Sequence, residues 1–230
     1  MSEHTAVRGV GEADVGKEHL HRLGVGGRIR RIGEVVLVRV GRHGRSLTWM
    51  SYQIRTYGDP VLTAQAAPVD NVDGKIVRLV DDMFDSLVDS GNGIALAAPQ
   101  IGVRKQVVVW DLGEDPLAIV NPEIVESDGE WVYDEGCLSI PGLYVEMLRP
   151  KQVLVRGVDL DGNVIEIEAD ELEARMFQHE IDHLRGVLMF DRMTPDQRKE
   201  AMKEYRRMER EAEAAAAPQR RPLARRLGLQ

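Results

Sequence analysis

The sequence predicts an α+β fold, and two observations support this class. Apolar residues recur every three or four positions after Asp73 and again after Asp170, each a predicted N-cap, which indicates two amphipathic helices. Residues 152–158 and 164–169 are short runs of strand-forming composition on either side of an Asp-Gly turn, which indicates a β-hairpin. The chain is therefore expected to combine helices with antiparallel strands.

Further elements can be placed in chain order around these. Residues 106–112 and 116–125 are predicted to form two short strands before the hairpin. Residues 186–192 are predicted to leave the second helix as another short strand. Thr194 followed by Pro195 is a strong start signal for a last, heavily charged helix, because the hydroxyl can cap it and proline fits the first helical position.

The N-terminal 49 residues differ in composition from the rest of the chain. They hold nine of the 22 glycines and nine Arg/Lys against five Asp/Glu, whereas residues 50–230 hold 21 Arg/Lys against 33 Asp/Glu. Dense glycine opposes a packed core, so only residues 34–40 are expected to form a strand there. The acidic residues argue against an organellar import sequence, and we interpret the segment as disordered or as upstream of the true start at Met50. The predicted domains are an N-terminal extension (1–49), a catalytic domain (50–195) and a charged C-terminal helix with a basic tail (196–230).

Composition narrows the classes of protein to which the chain can belong. The single cysteine excludes an intrachain disulfide framework and fits a reducing compartment. No apolar run approaches the roughly 18 residues of a membrane span, and the N-terminus lacks the apolar core of a secretory signal. We therefore expect a cytoplasmic enzyme with no membrane partner and no sequence-specific nucleic-acid partner.

The motif H-E-x-x-H at 179–183 lies in the second predicted helix. On a helix His179 and His183 share one face and can hold the same cation, and Glu180 can reach a water on that cation. The alternative is an exposed helical face with ordinary charges. The distribution of histidine favours the metal site, because four of the six histidines precede residue 50 and the remaining 181 residues contain only these two.

Two other side chains are candidates for chemistry. Gln100 is the single polar side chain in the small, apolar stretch 93–102, and its amide can either donate to a developing oxyanion or hold a loop together. Cys137 follows a glycine at the start of a loop that ends in proline and glycine, where a metal ligand can be held. A lone cysteine is more often a small apolar core residue, so both interpretations of Cys137 stay open at this point.

Three stretches together resemble the motifs of peptide deformylases, in order and in spacing. They are GIALAAPQIG at 93–102, EGCLS at 135–139 and QHEIDHLRG at 178–186, and the flanking similarity runs from about Met50 to about Arg207. The resemblance implies small antiparallel or mixed β-sheets packed around a central helix that carries the H-E-x-x-H motif. It also implies removal of the N-formyl group from nascent peptides that begin with formyl-methionine, with release of formate.

The same resemblance implies roles for individual residues. The metal ligands would be Cys137, His179 and His183. Glu180 would be the general base, and the oxyanion donors would be the Gln100 side chain and the Leu138 backbone N–H. The resemblance implies Fe²⁺ as the native ion, whereas sulfur and two imidazoles also suit Zn²⁺ or Ni²⁺.

Residues around this centre are expected to support it or to contact the substrate. Glu135 and Arg149 match an ion pair near the metal loop, whose value would be orientation. Ala95 stands where the family usually has glycine, beside the bound peptide, and its methyl group is expected to narrow the cleft. Tyr144 stands where some members carry an arginine that contacts the substrate. Further substrate contacts are predicted for Gly93, Ile94, Leu172 and Met176.

Two other functions and one further partner are compatible with the sequence. An H-E-x-x-H endopeptidase needs a third ligand, either a histidine at the position of Met189 or a downstream glutamate such as Glu200 or Glu204. A catalytically weakened, metal-stabilised module that binds the ribosome is the non-enzymatic alternative. Residues 197–230 hold ten Arg/Lys against five Asp/Glu, which allows docking to an RNA-rich ribosome surface in addition to the ordinary solvated face.

Overall fold

The computed structural model describes residues 7–9, 28–31, 51–113 and 116–216 of the 230-residue chain. Within these residues the α+β prediction is confirmed. The strands are β1 (Val7–Gly9), β2 (Arg28–Arg31), β3 (Ala95–Ala97), β4 (Val107–Trp110), β5 (Leu117–Asp128), β6 (Trp131–Cys137), β7 (Ile140–Arg149), β8 (Gln152–Val158) and β9 (Val164–Asp170). The helices are α1 (Gly74–Asp89), α2 (Glu171–Leu184), α3 (Met189–Arg192) and α4 (Pro195–Ala216), with 3-10 turns at Pro60–Thr63 and Ala98–Ile101.

The strands form two antiparallel sheets. The larger has the order β2-β9-β8-β5-β4-β3, and the smaller has the order β1-β7-β6. Strands β8 and β9 form the predicted hairpin, with Val158 opposite Val164 at the turn and Gln152 opposite Asp170 at the far end. Strands β3 and β6 are each the last strand of their sheet in the part of the chain that the structure describes, so each has an edge with no strand paired to it.

Helices α1 and α2 cover opposite faces of the larger sheet. In β4, Val107 and Val109 pack into a cluster with α1, whereas Val108 and Trp110 pack into a cluster with α2. Because successive side chains of a strand point to opposite faces, this continuous apolar run is what a strand covered on both faces requires. Phe177 of α2 contacts Trp110 edge to face, with ring centroids 5.0 Å apart.

Helix α2 is the buried centre of the molecule. Every residue from Glu173 to Leu184 is buried, including charged ones. A helix in the core cannot leave its charges to solvent, so each buried ionisable group either pairs with other protein groups or has a shifted pKa that favours its neutral form. The predicted cap differs in detail: Asp170 is the N-cap residue, but its side chain makes no capping hydrogen bond. The predicted cap of α1 does form, because the Asp73 carboxylate accepts from the second and third backbone N–H groups of that helix.

The strand predicted at 186–192 is wrong. Gly186 (φ +71°) ends α2 in the left-handed region, and the chain then forms the short helix α3. The Asp191 carboxylate accepts a hydrogen bond from Leu188 N–H at 3.0 Å, which stabilises the helical turn. The neighbouring residues Met189 and Phe190 are both buried, a pattern that an alternating strand would not give. The other predicted strand without a counterpart, at 34–40, lies outside the described residues.

Helix α4 is anchored to the smaller sheet. Ala201 and Tyr205 are buried, and Tyr205 packs edge to face on Tyr57 with ring centroids 5.8 Å apart. Phe190 of α3 packs against the same two tyrosine rings. The first half of α4 therefore shares a hydrophobic cluster with β7. None of the helices in the described part of the chain is long and apolar enough to cross a membrane.

Candidate active site

Three elements bring the predicted catalytic side chains together. Helix α2 carries His179, Glu180 and His183, and β6 ends at Cys137. The 3-10 turn that follows β3 carries Gln100. Residues far apart in the sequence thus meet where the edge of the larger sheet, the smaller sheet and the buried helix converge.

The three predicted metal ligands form one cluster. The ligand atoms of Cys137, His179 and His183 all lie within 4.8 Å of one another, and no other such group of His, Cys, Asp or Glu occurs in residues 51–113 and 116–216. Cys137 Sγ lies 3.3 Å from His183 Nε2. One sulfur and two imidazole nitrogens suit a divalent transition metal, and three ligands leave a fourth position for water or substrate.

Electrostatics differ between the two histidines. Burial and the neighbouring His179 hold the pKa of His183 well below its usual range, so His183 is neutral and can ligate a metal. Burial opposes charge on His179 as well, but Cys137 and Glu135 together raise its pKa well above the usual range. The raised pKa of His179 belongs to the metal-free site, and a bound metal takes the place of the proton on that imidazole.

Glu135 orients His179. Its Oε1 lies 2.8 Å from His179 Nδ1, so an Nδ1–H donated to the carboxylate leaves Nε2 free as the metal-facing nitrogen. Burial alone would raise the pKa of Glu135, but hydrogen bonds from His179 and Arg149 hold it well below the usual range. Glu135 is therefore an anion fixed behind the first histidine.

The ion pair predicted between Glu135 and Arg149 is bidentate and buried. Arg149 Nε and Nη2 donate to the two carboxylate oxygens at 3.0 and 2.7 Å. Arg149 Nη1 also donates to Asp182 Oδ2 at 2.7 Å, and Arg192 donates to the same carboxylate from the protein surface. The pair is thus part of a larger network that links β6, β7 and α2.

Sequence reasoning missed Asp182, Arg192 and the buried Arg175. One signal was available for two of them: Arg175 lies four residues before His179 and Asp182 three residues after it, so both are on the histidine side of the helix. Arg192 follows α2 after a turn whose path the sequence did not predict. Ser139 ends the EGCLS stretch, but no local pattern predicted that its Oγ would lie 3.4 Å from Gln100 Nε2.

Glu180 is a buried carboxylate without a full set of partners. It is 4% exposed, and its Oε2 has no hydrogen-bond partner among the described residues. Burial raises the pKa of Glu180 to about 7, against the opposing charge of His179. A carboxyl group whose pKa lies near neutrality can both accept and deliver a proton at working pH.

Gln100 is held in one orientation beside the ligands. Its Oε1 accepts from Ala97 N–H at 2.8 Å, so Nε2 faces Cys137 Sγ at 4.0 Å and Ser139 Oγ at 3.4 Å. Leu138 follows Cys137 directly, and its side chain lies against Gly93: a methyl group built on that glycine would be 2.7 Å from Leu138 Cδ1. Both residues predicted to supply oxyanion donors, Gln100 and Leu138, are therefore close to Cys137.

The predicted substrate contacts fall into two groups. Ala95 is in the edge strand β3 and is buried, and Ile94 packs against the core cluster that contains Met176. Leu172 lies one turn before Met176 on α2 and is partly buried. On the other side, Tyr144 is 40% exposed and its ring lies over the backbone next to Cys137, because a methyl group built at Gly136 would be 2.5 Å from Tyr144 Cε1.

The alternative third ligands of an endopeptidase lie elsewhere. Met189 is buried in the hydrophobic cluster under α4. Glu204 pairs with Arg207 on the surface of α4, and Glu200 lies 3.8 Å from Lys203 on that helix. Neither glutamate belongs to the cluster formed by the cysteine and two histidines.

Comparisons with known proteins agree with one another. Residues 51–199 match the family model described as "Polypeptide deformylase". A peptide deformylase from Clostridium botulinum (strain Alaska E43 / Type E3) is 45% identical over 141 residues, which cover 61% of this chain and 95% of that protein. One from Agathobacter rectalis is 49% identical over 140 residues, covering 61% of this chain and 88% of that protein. The crystal structure of a peptide deformylase from Legionella pneumophila aligns with a TM-score of 0.67 at 38% identity, covering 74% of this chain and 100% of that one.

Proposed function

The chain belongs to the polypeptide deformylase family, and from this membership we propose how its residues carry out the family's reaction. That reaction is the metal-dependent removal of the N-formyl group from newly synthesised peptides, which hydrolyses an amide and releases formate. The proposal assigns the metal to Cys137, His179 and His183 and the general base to Glu180. Its single strongest support is that three ligand atoms converge within 4.8 Å beside that buried carboxylate.

The donor set fits a divalent metal with an open coordination position. When bound, such an ion supplies Lewis-acid activation of a water and of the formyl carbonyl. Fe²⁺ is the ion we propose for the native protein, with Zn²⁺ or Ni²⁺ able to occupy the same ligands. The thiolate and the two imidazoles by themselves do not discriminate among these ions.

Glu180 moves the protons of the reaction. Its unpartnered Oε2 accepts a proton from the attacking water and then delivers it to the nitrogen of the leaving amine. Burial raises the pKa of Glu180 to about 7 in the absence of metal, and a nearby cation lowers it, so the carboxylate form is available at neutral pH. The carboxylate is fixed next to the ligand His179 by its position on the helix.

Gln100 and Leu138 stabilise the charge that develops on the formyl oxygen. The orientation of Gln100 is set by Ala97 N–H, which leaves its Nε2 as the donor that faces the metal ligands. The Leu138 backbone N–H is the second donor, next to Cys137. One such donor lowers the barrier by about 2.7–4 kcal/mol when it is already in place before the reaction.

The free edges of β3 and β6 receive the peptide. An extended substrate can add to a strand edge by backbone hydrogen bonds. Ala95 lies in β3 and Gly136 in β6, and Gly93 precedes β3 by two residues, which supports the proposal. Ile94, Leu172 and Met176 are proposed as the apolar contacts of the methionine side chain. Tyr144 offers an aromatic surface to the substrate residues that follow methionine, and Ala95 narrows the cleft by one methyl group.

The metal ligands are tested by replacing the cysteine. We expect Cys137→Ala to remain folded and to lose the divalent ion, because a thiolate ligand is replaced by a methyl group. Elemental analysis after anaerobic purification measures metal per chain, and Ser51→Ala, a substitution at an exposed position, is the matched control. A folded Cys137→Ala protein that keeps the wild-type metal content would contradict the assignment.

We also propose that the enzyme works in the cytosol and meets nascent chains at the ribosome. Support for this comes from charge: the ten Arg/Lys against five Asp/Glu of residues 197–230 suit an RNA-rich surface. Within the described helix the charges are nearly balanced, with six Arg/Lys against five Asp/Glu in residues 197–216. Most of the net positive charge of residues 197–230 therefore comes from the four arginines beyond that helix, at 220, 221, 225 and 226.

A further inference from the structure

Arg175 is a buried arginine that none of the catalytic roles above uses. It lies on α2 one turn before His179, and its side chain is 3% exposed. Together with Arg149 it balances two buried carboxylates, those of Glu135 and Asp182, whose side chains are 3% and 6% exposed. Burying a guanidinium is costly unless its donors are paired, so the partners of Arg175 indicate what it does. Both of its terminal nitrogens are paired, whereas its Nε has no hydrogen-bond partner among the described residues.

The hydrogen-bond partners of Arg175 lie on strands β6 and β7, which are joined directly after Cys137. Arg175 Nη1 donates to Glu135 Oε2 at 2.9 Å, and Nη2 donates to the backbone carbonyls of Trp131 and Met147, both at 2.9 Å. Trp131 is in β6 and Met147 is in β7. The guanidinium also lies 5.1 Å from the centre of the Trp131 ring, within the range of a cation–π contact.

These contacts join the two elements that provide the metal ligands. His179 and His183 are on α2, whereas Cys137 is at the end of β6, which pairs with β7 in a hairpin. The geometry of the ligand set therefore depends on how α2 and the β6–β7 hairpin are held together. Glu135 is fixed by Arg149 from the strand side and by Arg175 from the helix side. The planar fork of arginine spreads its donors over three nitrogens, so one side chain can reach a carboxylate and two backbone carbonyls on different strands, whereas the three donors of a lysine share a single atom.

We propose that Arg175 is a positioning residue for the metal centre, which ties α2 to the β6–β7 hairpin and fixes Glu135 behind His179. This inference rests on the proposed metal site and adds a determinant of its affinity. Arg175 is not one of the three proposed ligands, and its hydrogen bonds go to Glu135, Trp131 and Met147, so its removal is expected to change how tightly the ion is held. Groups that orient metal ligands typically alter metal affinity by about 10- to 100-fold.

The test compares metal affinity in folded variants. Arg175→Lys keeps the charge but loses the fork, and Arg175→Met loses both. We expect each to bind Zn²⁺ at least about tenfold more weakly than wild type in competition with a chromophoric chelator, with the larger loss for Arg175→Met. The d–d absorption of the Co²⁺ form is expected to change in both variants, because the ligands are less rigidly placed.

Two control variants separate positioning from general stability. Arg156→Met breaks an exposed ion pair with Glu166 and is expected to bind Zn²⁺ as wild type does. Val155→Ala removes buried apolar atoms from the core of β8 and is expected to lower the free energy of unfolding without changing Zn²⁺ affinity. If neither Arg175 variant folds, Trp131→Leu removes the ring that makes the cation–π contact with Arg175 while leaving every charge in place. Weaker Zn²⁺ binding is again expected.

The outcomes discriminate between this inference and the metal site on which it rests. Folded Arg175→Lys or Arg175→Met with wild-type Zn²⁺ affinity would overturn the positioning role, as would wild-type affinity in Trp131→Leu if that variant decides the case. A wild-type chain that binds no divalent ion would instead overturn the metal site itself. Reduced affinity in Arg175→Met and Arg175→Lys, with unchanged affinity in Val155→Ala, supports the role of Arg175.

Discussion

At the scale of single residues, the proposed mechanism depends on the carboxyl group of Glu180, whose burial is unfavourable for its charged form. Glu180 is buried with one oxygen unpartnered, and burial favours its protonated form although the neighbouring His179 opposes this. A folded protein gains nothing from such a group unless a ligand or a reaction uses it. The resulting pKa near neutrality is what a residue needs in order to take a proton from water and give it to an amine.

Removal of the carboxylate is expected to stop the reaction without releasing the metal. We predict that Glu180→Gln keeps a wild-type metal content and loses at least about 100-fold in kcat, because the amide cannot accept the proton. Elemental analysis and an assay of formate release measure the two quantities. Glu166→Gln, at a surface pair, is the control and should stay active. Wild-type turnover in metal-loaded Glu180→Gln would remove Glu180 from the mechanism.

The raised pKa of Glu180 also predicts how stability depends on pH. Burial raises this pKa from 4.5 to about 7, so between these values the metal-free folded state keeps a proton that the unfolded state has lost. Stability is therefore lost as pH rises through this interval, by on the order of 3 kcal/mol. We expect metal-free Glu180→Gln to be more stable than wild type at pH 8 and to match it near pH 4.5, measured by urea unfolding. Equal stability of the two proteins at pH 8 would contradict the assignment of this pKa.

At the scale of elements, helix α2 shows what patterns can and cannot predict. Its position, its histidines and their spacing were predictable, because apolar periodicity and the H-E-x-x-H motif are local features of the sequence. Its buried charges were less accessible to prediction: Arg175 and Asp182 lie on the histidine side of the helix, but their partners on β6 and β7 come from strand packing. The network depends on strand pairing, which no local pattern specifies.

The segment after α2 illustrates a second limit. Residues 187–190 are a continuous apolar run, which fits a buried strand or a buried helical turn equally well. The structure forms the helical turn because Asp191 caps it and because Phe190 packs between Tyr57 and Tyr205. The partners of Phe190 come from distant parts of the chain, so the sequence alone could not select between the two.

Replacement of Gly186, which precedes this segment, is predicted to destabilise the fold for two separable reasons. Its φ is +71°, and a methyl group on it would lie 2.6 Å from the Thr63 carbonyl oxygen. Gly162 has φ +85° with open space around it, so Gly162→Ala measures the backbone strain alone. We expect Gly186→Ala to cost about 1–3 kcal/mol more than Gly162→Ala in urea unfolding, since backbone atoms must move. Equal losses would mean that the contact with Thr63 is easily relieved.

At the scale of the whole molecule, two sheets and a central helix form one packed body, to which α4 is joined. Ala201 and Tyr205 bury the first half of that helix, so removal of residues 197–230 would expose core as well as remove charge. The family model ends at residue 199, within this helix. A test of ribosome docking must therefore leave α4 in place and change only residues C-terminal to it.

Neutralising the C-terminal arginines tests the proposed ribosome contact. We expect full-length protein with Arg220, Arg221, Arg225 and Arg226 changed to glutamine to bind ribosomes more weakly, and with a smaller dependence on salt, because fewer phosphates are neutralised. Sedimentation with ribosomes over a series of salt concentrations measures both, and hydrolysis of a short formyl peptide should be unchanged. Ribosome binding equal to that of wild type at every salt concentration would remove this contact.

The central claim is that one metal ion held by Cys137, His179 and His183 drives deformylation. The most direct measurement is formate released from formyl-Met-Ala-Ser, with the metal content of the same sample determined. We predict formate release in proportion to metal-loaded chains, with the peptide bonds of the substrate left intact and no release from Cys137→Ala. Cleavage of internal peptide bonds, or no formate from a fully metal-loaded chain, would contradict it.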